Sequence, residues 1–366
     1  MFGNYYIGIM SGTSLDAIDV VIAQRTEQGL QQVAGIAPAM PEVLRQQLQH
    51  ICADKKVDLQ TLGEVDHLFA LTCADVVNQL LKKANINASQ ITAIGSHGQT
   101  IFHSPLTTMP FTQQIGDSNL IAAKTTIPCI SDFRRMDMAY GGQGAPLVPA
   151  FHQALFSQEG EQRVILNIGG IANISILTSN DSVFGYDTGP GNLLMDAWIE
   201  KCLGKSYDKD GYFAGQGEVI PALLEKLLAD NYFSLSAPKS TGREKFNLAW
   251  LERHLTLFQE RNEDVQRTLL ELSAVTIADQ IKRHSQNAAV FVCGGGALNP
   301  LLMQRLQQLL TNHLVSDTND LNVDPMFVEA IAFAWLAEQR LLQKPIPLKS
   351  VTGATKDAIL GCLYLP

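Results

Sequence analysis

The chain has 366 residues, 46% of them hydrophobic and 17% charged: enough apolar material for a large core, and too long for one ordinary domain. Its 27 Lys and Arg against 36 Asp and Glu leave a net charge of −9, which argues against a passive binder of nucleic acid or anionic membrane while leaving room for a local basic pocket. The 6 cysteines form no C-x-x-C pair, no basic-apolar leader opens the chain and no apolar run reaches membrane-spanning length; a reduced, cytoplasmic protein without membrane or nucleic-acid partners is expected.

The first elements are expected to be strands at 6–10, 17–24 and 30–36, with helices following at 41–52 and 59–84. Asp58 is placed to cap the second helix, and Leu62, Val65, Leu68, Phe69, Thr72, Val76 and Leu80 keep a helical period. A short buried strand at 91–95 runs into Ser96-His-Gly-Gln-Thr100. Another strand is expected at 112–115, then a helix capped by Asp117 and ending near 123, then a strand at 127–131. The stretch 133–149, rich in Gly and Pro yet carrying Arg134, Arg135 and Asp137, is too reactive in composition for a plain linker. The domain boundary is placed there, with domains at 1–133 plus 345–366 and at 134–344. The second half restarts at 164 as strand, Gly turn and strand, with a third strand at 183–186. Helices are expected at 192–203, 219–229, 248–258, 265–284, 301–310 and 326–342, and a strand at 289–293. The tail from 349 carries a short strand-like run suited to packing back on the first domain.

Each half therefore opens as a three-strand meander with a Gly-containing first turn. In the first, Gly12 has no Cβ to obstruct a ligand, Thr13 and Ser14 add hydroxyls, and the turn's N–H groups can converge on an anion. Asp16 is suited to a hard cation such as Mg²⁺. Neither G-x-x-x-x-G-K-[ST] nor G-x-G-x-x-G opening a helix is present, so an ordinary hairpin turn is an equally good reading of this stretch alone. Gly294-Gly295-Gly296 follows a buried strand and suits close approach of a base or ribose, or simply a tight strand-to-helix turn. Asp187 ends a strand before Gly-Pro-Gly, where it can act as a general base; the competing reading is a helix cap, for which Asn192 is better placed.

The chain resembles the anhydro-N-acetylmuramic acid kinase family over nearly its whole length. The resemblance is carried by Met-Ser-Gly-Thr-Ser-Leu-Asp (10–16) with Asp19, Gly-Ser-His-Gly-Gln-Thr (95–100), Asp-Phe-Arg-Arg-Met-Asp (132–137) and Gly-Gly-Gln-Gly-Ala-Pro-Leu-Val-Pro (141–149). Further along it rests on Asn-Ile-Gly-Gly-Ile-Ala-Asn (167–173), Tyr-Asp-Thr-Gly-Pro-Gly-Asn (186–192), Lys-Ser-Thr-Gly-Arg-Glu (239–244), Cys-Gly-Gly-Gly-Ala-Leu-Asn-Pro (293–300) and Asp-Pro-Met-Phe-Val-Glu-Ala (324–330). Ala17 departs from the pattern, which usually has Gly there. The resemblance implies an α/β, actin-like ATPase fold, with two ribonuclease-H-like domains of mixed sheets flanked by helices and ATP in the cleft between them. It implies hydrolytic opening of the 1,6-anhydro ring and phosphorylation of O6 with Mg²⁺ and ATP, giving N-acetylmuramic acid 6-phosphate in cell-wall recycling. Asp187 would activate the water and Glu329 would lie near it, although a first-turn Glu also simply complements a helix dipole. Gly12, Thr13, Ser14, Leu15, Asp16, Ala17, Ile18, Asp19, Gly169, Gly170, Gly294, Gly295, Gly296 and Asn299 would serve the nucleotide, with Asp16 on the metal. His97, Thr100, Arg134, Arg135 and Asn192 would face the sugar, an arginine gripping its lactyl carboxylate. A homodimer is the expected assembly. The rival readings are an ordinary hexose kinase of the same fold, which consumes no water, and a nucleotide-gated interaction protein of the actin or heat-shock type.

Overall fold

Two mixed sheets organise the chain in the computed structural model, which describes residues 4–366 apart from 13, 28, 178–182, 238, 257 and 259. Among these residues the strands in chain order are β1 (Tyr5–Met10), β2 (Asp19–Thr26), β3 (Gly29–Ile36), β4 (Ile91–Ser96), β5 (Gln99–Ser104), β6 (Phe111–Ile115) and β7 (Cys129–Ser131). They continue as β8 (Arg163–Ile168), β9 (Ile171–Leu177), β10 (Val183–Pro190), β11 (Ala289–Cys293), β12 (Leu314–Asp317) and β13 (Cys362–Tyr364). The chain divides into two compact units, Met1–Leu155 with Phe327–Pro366, and Phe156–Met326.

The first unit holds a six-stranded sheet in the order β13-β7-β4-β1-β2-β3. β1, β2 and β3 form an antiparallel meander, β4 lies parallel to β1, and β7 parallel to β4. Alternation decides which side each residue serves. Ile7 and Ile9 of β1 join Val20 and Ile22 of β2 in a core with Leu44 and Leu48 of the helix Glu42–Asp54 and Phe69 and Val77 of the helix Leu59–Ala84. Asp58 caps that second helix, accepting from the Thr61 N–H at 2.9 Å. On the opposite side of β1 and β4, Gly8 and Gly95 stand side by side in register. A Cβ on Gly8 would fall on the Ala330 carbonyl, and one on Gly95 on the Phe333 carbonyl. The helix Val328–Leu341 therefore lies directly on the sheet, at a closeness only these two residues allow.

Two features of this unit were not expected. Residues 99–104 form a strand, β5, which pairs with β6 as a separate two-stranded hairpin stiffened by stacking of Phe102 on Phe111 at 5.0 Å. The Gly- and Pro-rich stretch from 133 contains two short helices, Arg135–Ala139 and Val148–Phe156. At the far end of the chain β13 pairs antiparallel with β7.

The second unit repeats the plan with a five-stranded sheet, β10-β9-β8-β11-β12. β8, β9 and β10 form the antiparallel meander, and β11 lies parallel to both β8 and β12. β12 was not expected, because its four residues are too few to give a period. The helix Asn262–His284 is buried along much of its length against Val164, Leu166, Ile174 and Val292, which is why its sequence shows little amphipathic contrast. Counted by strand within its own sheet, the second reads 3-2-1-4-5 and the first repeats that order with β13 added beyond β7, the duplicated mixed α/β architecture that the resemblance implies.

Candidate functional site

The turn between β1 and β2 is anchored from below and open above. Leu15 and Ile18 point into the core, so they offer a ligand backbone only. Even that is partly committed, since the Leu15 N–H donates to the Gly12 carbonyl at 3.3 Å and the Ile18 N–H to the Pro38 carbonyl at 3.1 Å. Asp16 fixes the turn through its carbonyl, which accepts from the Met40 N–H at 2.9 Å, while its carboxylate and Ser14 are exposed. Ala17 bridges to Ala39. A Cβ on Gly12 would meet nothing nearer than the Ser14 hydroxyl at 3.8 Å, so the space over the turn is clear. Thr13 lies outside the described residues.

Asp19, Glu329, Arg134 and His97 form an interacting set within the first unit. Asp19 opens β2, and burial together with the charge of Glu329 pushes its carboxyl up to about 7. Glu329 sits in the first turn of the helix Val328–Leu341; burial raises its pKa and Arg134 opposes that rise. Burial lowers the Arg134 guanidinium to about 10, which leaves it a cation, with Glu329 acting in the other direction. Arg134 is pinned by three hydrogen bonds: Nε and Nη2 reach His97 Nε2 at 3.2 and 2.9 Å, and Nη1 donates to the Gly144 carbonyl at 2.7 Å. Burial and the neighbouring cation hold His97 well below the usual histidine range. The neutral ring accepts at Nε2, which assigns its proton to Nδ1, and it packs 4.9 Å from the Phe333 ring.

The two adjacent arginines have different surroundings. Arg135 turns outward, bonding Asp132 through Nε at 2.7 Å, and is mostly exposed. Of the two, only Arg134 joins the set with His97 and Glu329. Thr100 lies on β5, where its hydroxyl accepts from Gln114 Nε2 at 3.1 Å.

In the second unit Asp187 stands at an irregularity in the β9–β10 ladder between Asp187 and Gly189, a device that re-aims a side chain. It is not a helix cap. Its Oδ2 accepts from the Thr241 N–H at 3.0 Å, its N–H donates to the Lys239 carbonyl at 3.2 Å, and its carbonyl accepts from the Tyr232 hydroxyl at 2.7 Å. Burial pushes its carboxyl up to about 6, the Thr241 N–H works against that rise, and Glu244 adds to it. The run 239–244, to which the sequence alone assigns no role, is the strap that fixes Asp187. Asn192 does not cap with its side chain either. Its Nδ2 donates to the Ile168 carbonyl at 3.3 Å, and its N–H to the Gly169 carbonyl at 2.8 Å.

Two glycine turns meet at the C-terminal ends of parallel β8 and β11, where open α/β sheets receive ligands. Gly169 and Gly170 leave room for a Cβ, but their carbonyls are committed, accepting from the N–H of Asn192 and from those of Gly191 and Leu193. The glycines at 294–296 are not equivalent. Gly294 has φ +78° and backs onto Asn167 and Ile168; Gly296 is pressed on the Ile168 side chain; a Cβ on Gly295 would meet only Asn192 Nδ2 at 3.6 Å. The fold thus explains Gly294 and Gly296, whereas Gly295 leaves unfilled space. Asn299 has a structural task, capping the helix Pro300–Leu309 by accepting from the Leu302 N–H at 3.2 Å. Among the described residues no group of three or more His, Cys, Asp and Glu is placed to hold a metal ion. Asp16 is at most one donor, which suits Mg²⁺ shared with phosphate oxygens and water.

The family model described as anhydro-N-acetylmuramic acid kinase matches residues 4–366. The anhydro-N-acetylmuramic acid kinase of Vibrio parahaemolyticus is 49% identical, covering 99% of each chain, and that of Pasteurella multocida is 52% identical, covering 98% of this chain and 96% of the relative. Among solved structures, the activator of the 2-hydroxyisocaproyl-CoA dehydratase from Clostridium difficile is 12% identical with a TM-score of 0.46, covering 90% of this chain and 92% of that one. From the match over residues 4–366 and relatives at about half identity along the whole length, the chain belongs to the anhydro-N-acetylmuramic acid kinase family.

Proposed function

We propose that the protein hydrolytically opens the 1,6-anhydro ring of anhydro-N-acetylmuramic acid and transfers the γ-phosphoryl group of ATP to the freed O6. The observation that carries this reading is the family match over residues 4–366. Water adds to C1 as the C1–O6 bond breaks; its proton passes to the Asp187 carboxylate, and O6 takes the phosphoryl group, leaving ADP. Asp187 suits the base because its Oδ2 is held by the Thr241 N–H and its pKa, about 6, leaves it ionised at neutral pH yet basic enough to accept a proton. Arg134, a half-buried cation already oriented by His97 and Gly144, suits the lactyl carboxylate, and the neutral His97 and Thr100 suit sugar hydroxyls. Arg135, turned onto Asp132, is left out of the proposed contacts.

In the first unit the room over Gly12 suits phosphate oxygens, and Asp16 would hold Mg²⁺; in the second unit, taken by itself, the room for a Cβ at Gly169, Gly170 and Gly295 suits close approach of a nucleotide. When bound, that ion would screen charge on the phosphates. Asp19, lifted to about 7 beside Glu329, belongs in this reading to the same phosphate end. No helix among the described residues is long and apolar enough to cross a membrane; we place the enzyme in the cytoplasm, as a homodimer, in peptidoglycan recycling.

Mass analysis of the product formed in ¹⁸O-water tests the reaction. The expected product is heavier than the sugar by water plus phosphate, with the label at C1 before the open aldehyde has exchanged. A gain of phosphate alone would establish the hexose-kinase alternative instead.

Gly295→Val tests the nucleotide surface. The first carbon of the new side chain would sit at ordinary contact distance, 3.6 Å from Asn192 Nδ2, so the melting temperature should stay near wild type while ATP affinity falls. Calorimetric titration with a non-hydrolysable ATP analogue reads this directly. Unchanged affinity in the folded variant would move the adenosine away from this turn.

A further inference from the structure

The cation in the proposed sugar site is held by a chain of contacts that ends in the C-terminal tail. Arg134 Nη1 donates to the Gly144 carbonyl at 2.7 Å, and the N–H of Gly144 donates to Asp137 Oδ2 at 2.8 Å. The other oxygen of that buried carboxylate, Oδ1, accepts from the Thr352 hydroxyl at 2.7 Å. Thr352 also receives the loop through its carbonyl, which accepts from the Gln143 N–H at 3.0 Å. A second clasp lies alongside: the Thr355 N–H donates to the Tyr140 carbonyl at 2.8 Å, and the Lys356 ammonium lies 4.2 Å from the centre of the Tyr140 ring. Residue 144 has φ +70°, and a Cβ there would press on the Met138 side chain, so the Gly144 peptide has one tightly defined seat.

We infer that Thr352 is a positioning residue for the proposed sugar site, setting the Arg134 guanidinium through Asp137 and the Gly144 peptide. This rests on the assignment of Arg134 to the lactyl carboxylate. Asp137 is the pivot. Only Oδ2 holds Gly144, and Thr352 fixes the rotation of the carboxylate through the remaining oxygen. Without that hydroxyl the Asp137 carboxylate can rotate, the Gly144 carbonyl is no longer fixed, and Arg134 keeps only the His97 side of its support. A planar guanidinium gripping a carboxylate at two points loses affinity when its plane swings.

Thr352→Val keeps the shape of the side chain and removes the hydroxyl. The expected result is a KM for anhydro-N-acetylmuramic acid raised roughly tenfold, the scale of one charge-assisted hydrogen bond, with the KM for ATP unchanged. Thr352→Ser should restore the wild-type value, a rescue that packing of the methyl group alone cannot provide. Arg134→Met completes a double-mutant cycle. If Thr352 acts through Arg134, adding Thr352→Val to Arg134→Met should raise the sugar KM no further. Should Thr352→Val prove too unstable to assay, Thr352→Ala at lower temperature replaces it in the same cycle. A wild-type sugar KM in folded Thr352→Val, or an effect that multiplies with that of Arg134→Met, overturns the inference. A wild-type sugar KM in Arg134→Met overturns the carboxylate role of Arg134 itself and takes the inference with it.

Discussion

Asp187→Asn is expected to lower kcat by about 10²–10⁴-fold, the usual contribution of general-base assistance, while leaving the KM for ATP nearly unchanged. The amide keeps the size of the carboxylate and can still accept the Thr241 N–H, so the bound geometry survives and only proton uptake is lost. Water is a poor nucleophile toward an acetal, which places the expected loss toward the upper end. A fall in kcat with little change in KM is the signature of an interaction made in the transition state. In the wild type, activity should rise with pH through about 6, where Asp187 loses its proton, and the variant should lack that limb. Stability should change in the opposite sense from a helix-cap deletion. The Asp187 pKa is raised from 3.8 to about 6 in the folded state, so the folded form binds the proton more tightly. That favourable contribution is complete below the unfolded value and is lost as pH rises through about 6. At neutral pH the ionised, partly buried carboxylate is therefore a liability that Asn removes, and the variant should melt no lower than wild type. Loss of a cap would instead cost about 1 kcal/mol. Near-normal kcat in Asp187→Asn would shift the base assignment to Glu329.

The general plan was legible because it rests on local rules. The period of Val65, Phe69, Val76 and Leu80 gives the helix Leu59–Ala84, and Asp58 marks its start. The paired Gly-containing meanders announce two like sheets, and each is observed. Asp187 was legible as a candidate because it lies at a strand end beside Gly-Pro-Gly. Its partners were not, because Tyr232, Lys239 and Thr241 reach it through space, and two of the three contacts use backbone atoms of the strap. The different fates of Arg134 and Arg135 were equally hidden. One side chain finds His97 and Gly144, the other Asp132, and the choice depends on where the short helix Arg135–Ala139 begins. Strands β5 and β12 escaped because β5 is a polar hairpin arm and β12 has only four residues; pairing, rather than an internal pattern, makes them strands. Glycine was read mainly as room for ligands, yet Gly8, Gly95, Gly294 and Gly296 make room for the protein itself.

Gly8→Ala is accordingly expected to give the largest loss of stability of any single methyl addition discussed here. Neither Gly8 nor its neighbour Gly95 has positive φ, so alanine meets no backbone strain at either position; the conflict is one of space. At Gly8 the new methyl group would fall on the Ala330 carbonyl and press the Ala334 N–H at 2.9 Å. The obstructing atoms belong to helix backbone, which cannot turn aside as a side chain can, so the helix Val328–Leu341 must lift from the sheet. Overpacking typically costs about 1–3 kcal/mol, and the upper end or more is expected here. Because Glu329 directly precedes Ala330, the same displacement should disturb its electrostatic contact with Arg134 and Asp19. The loss of activity should then exceed what the unfolded fraction explains when assayed well below the melting temperature. Gly63→Ala supplies the contrast: it lies within the helix Leu59–Ala84 with nothing within 4 Å of the added Cβ, and should stabilise by about 0.5–1 kcal/mol. Thermal and urea melts of the two variants beside wild type decide the matter. A wild-type melting temperature for Gly8→Ala would mean that the helix does not rest on the sheet at this glycine, and the route by which Glu329 is held beside Arg134 and Asp19 would have to be sought elsewhere in the first unit.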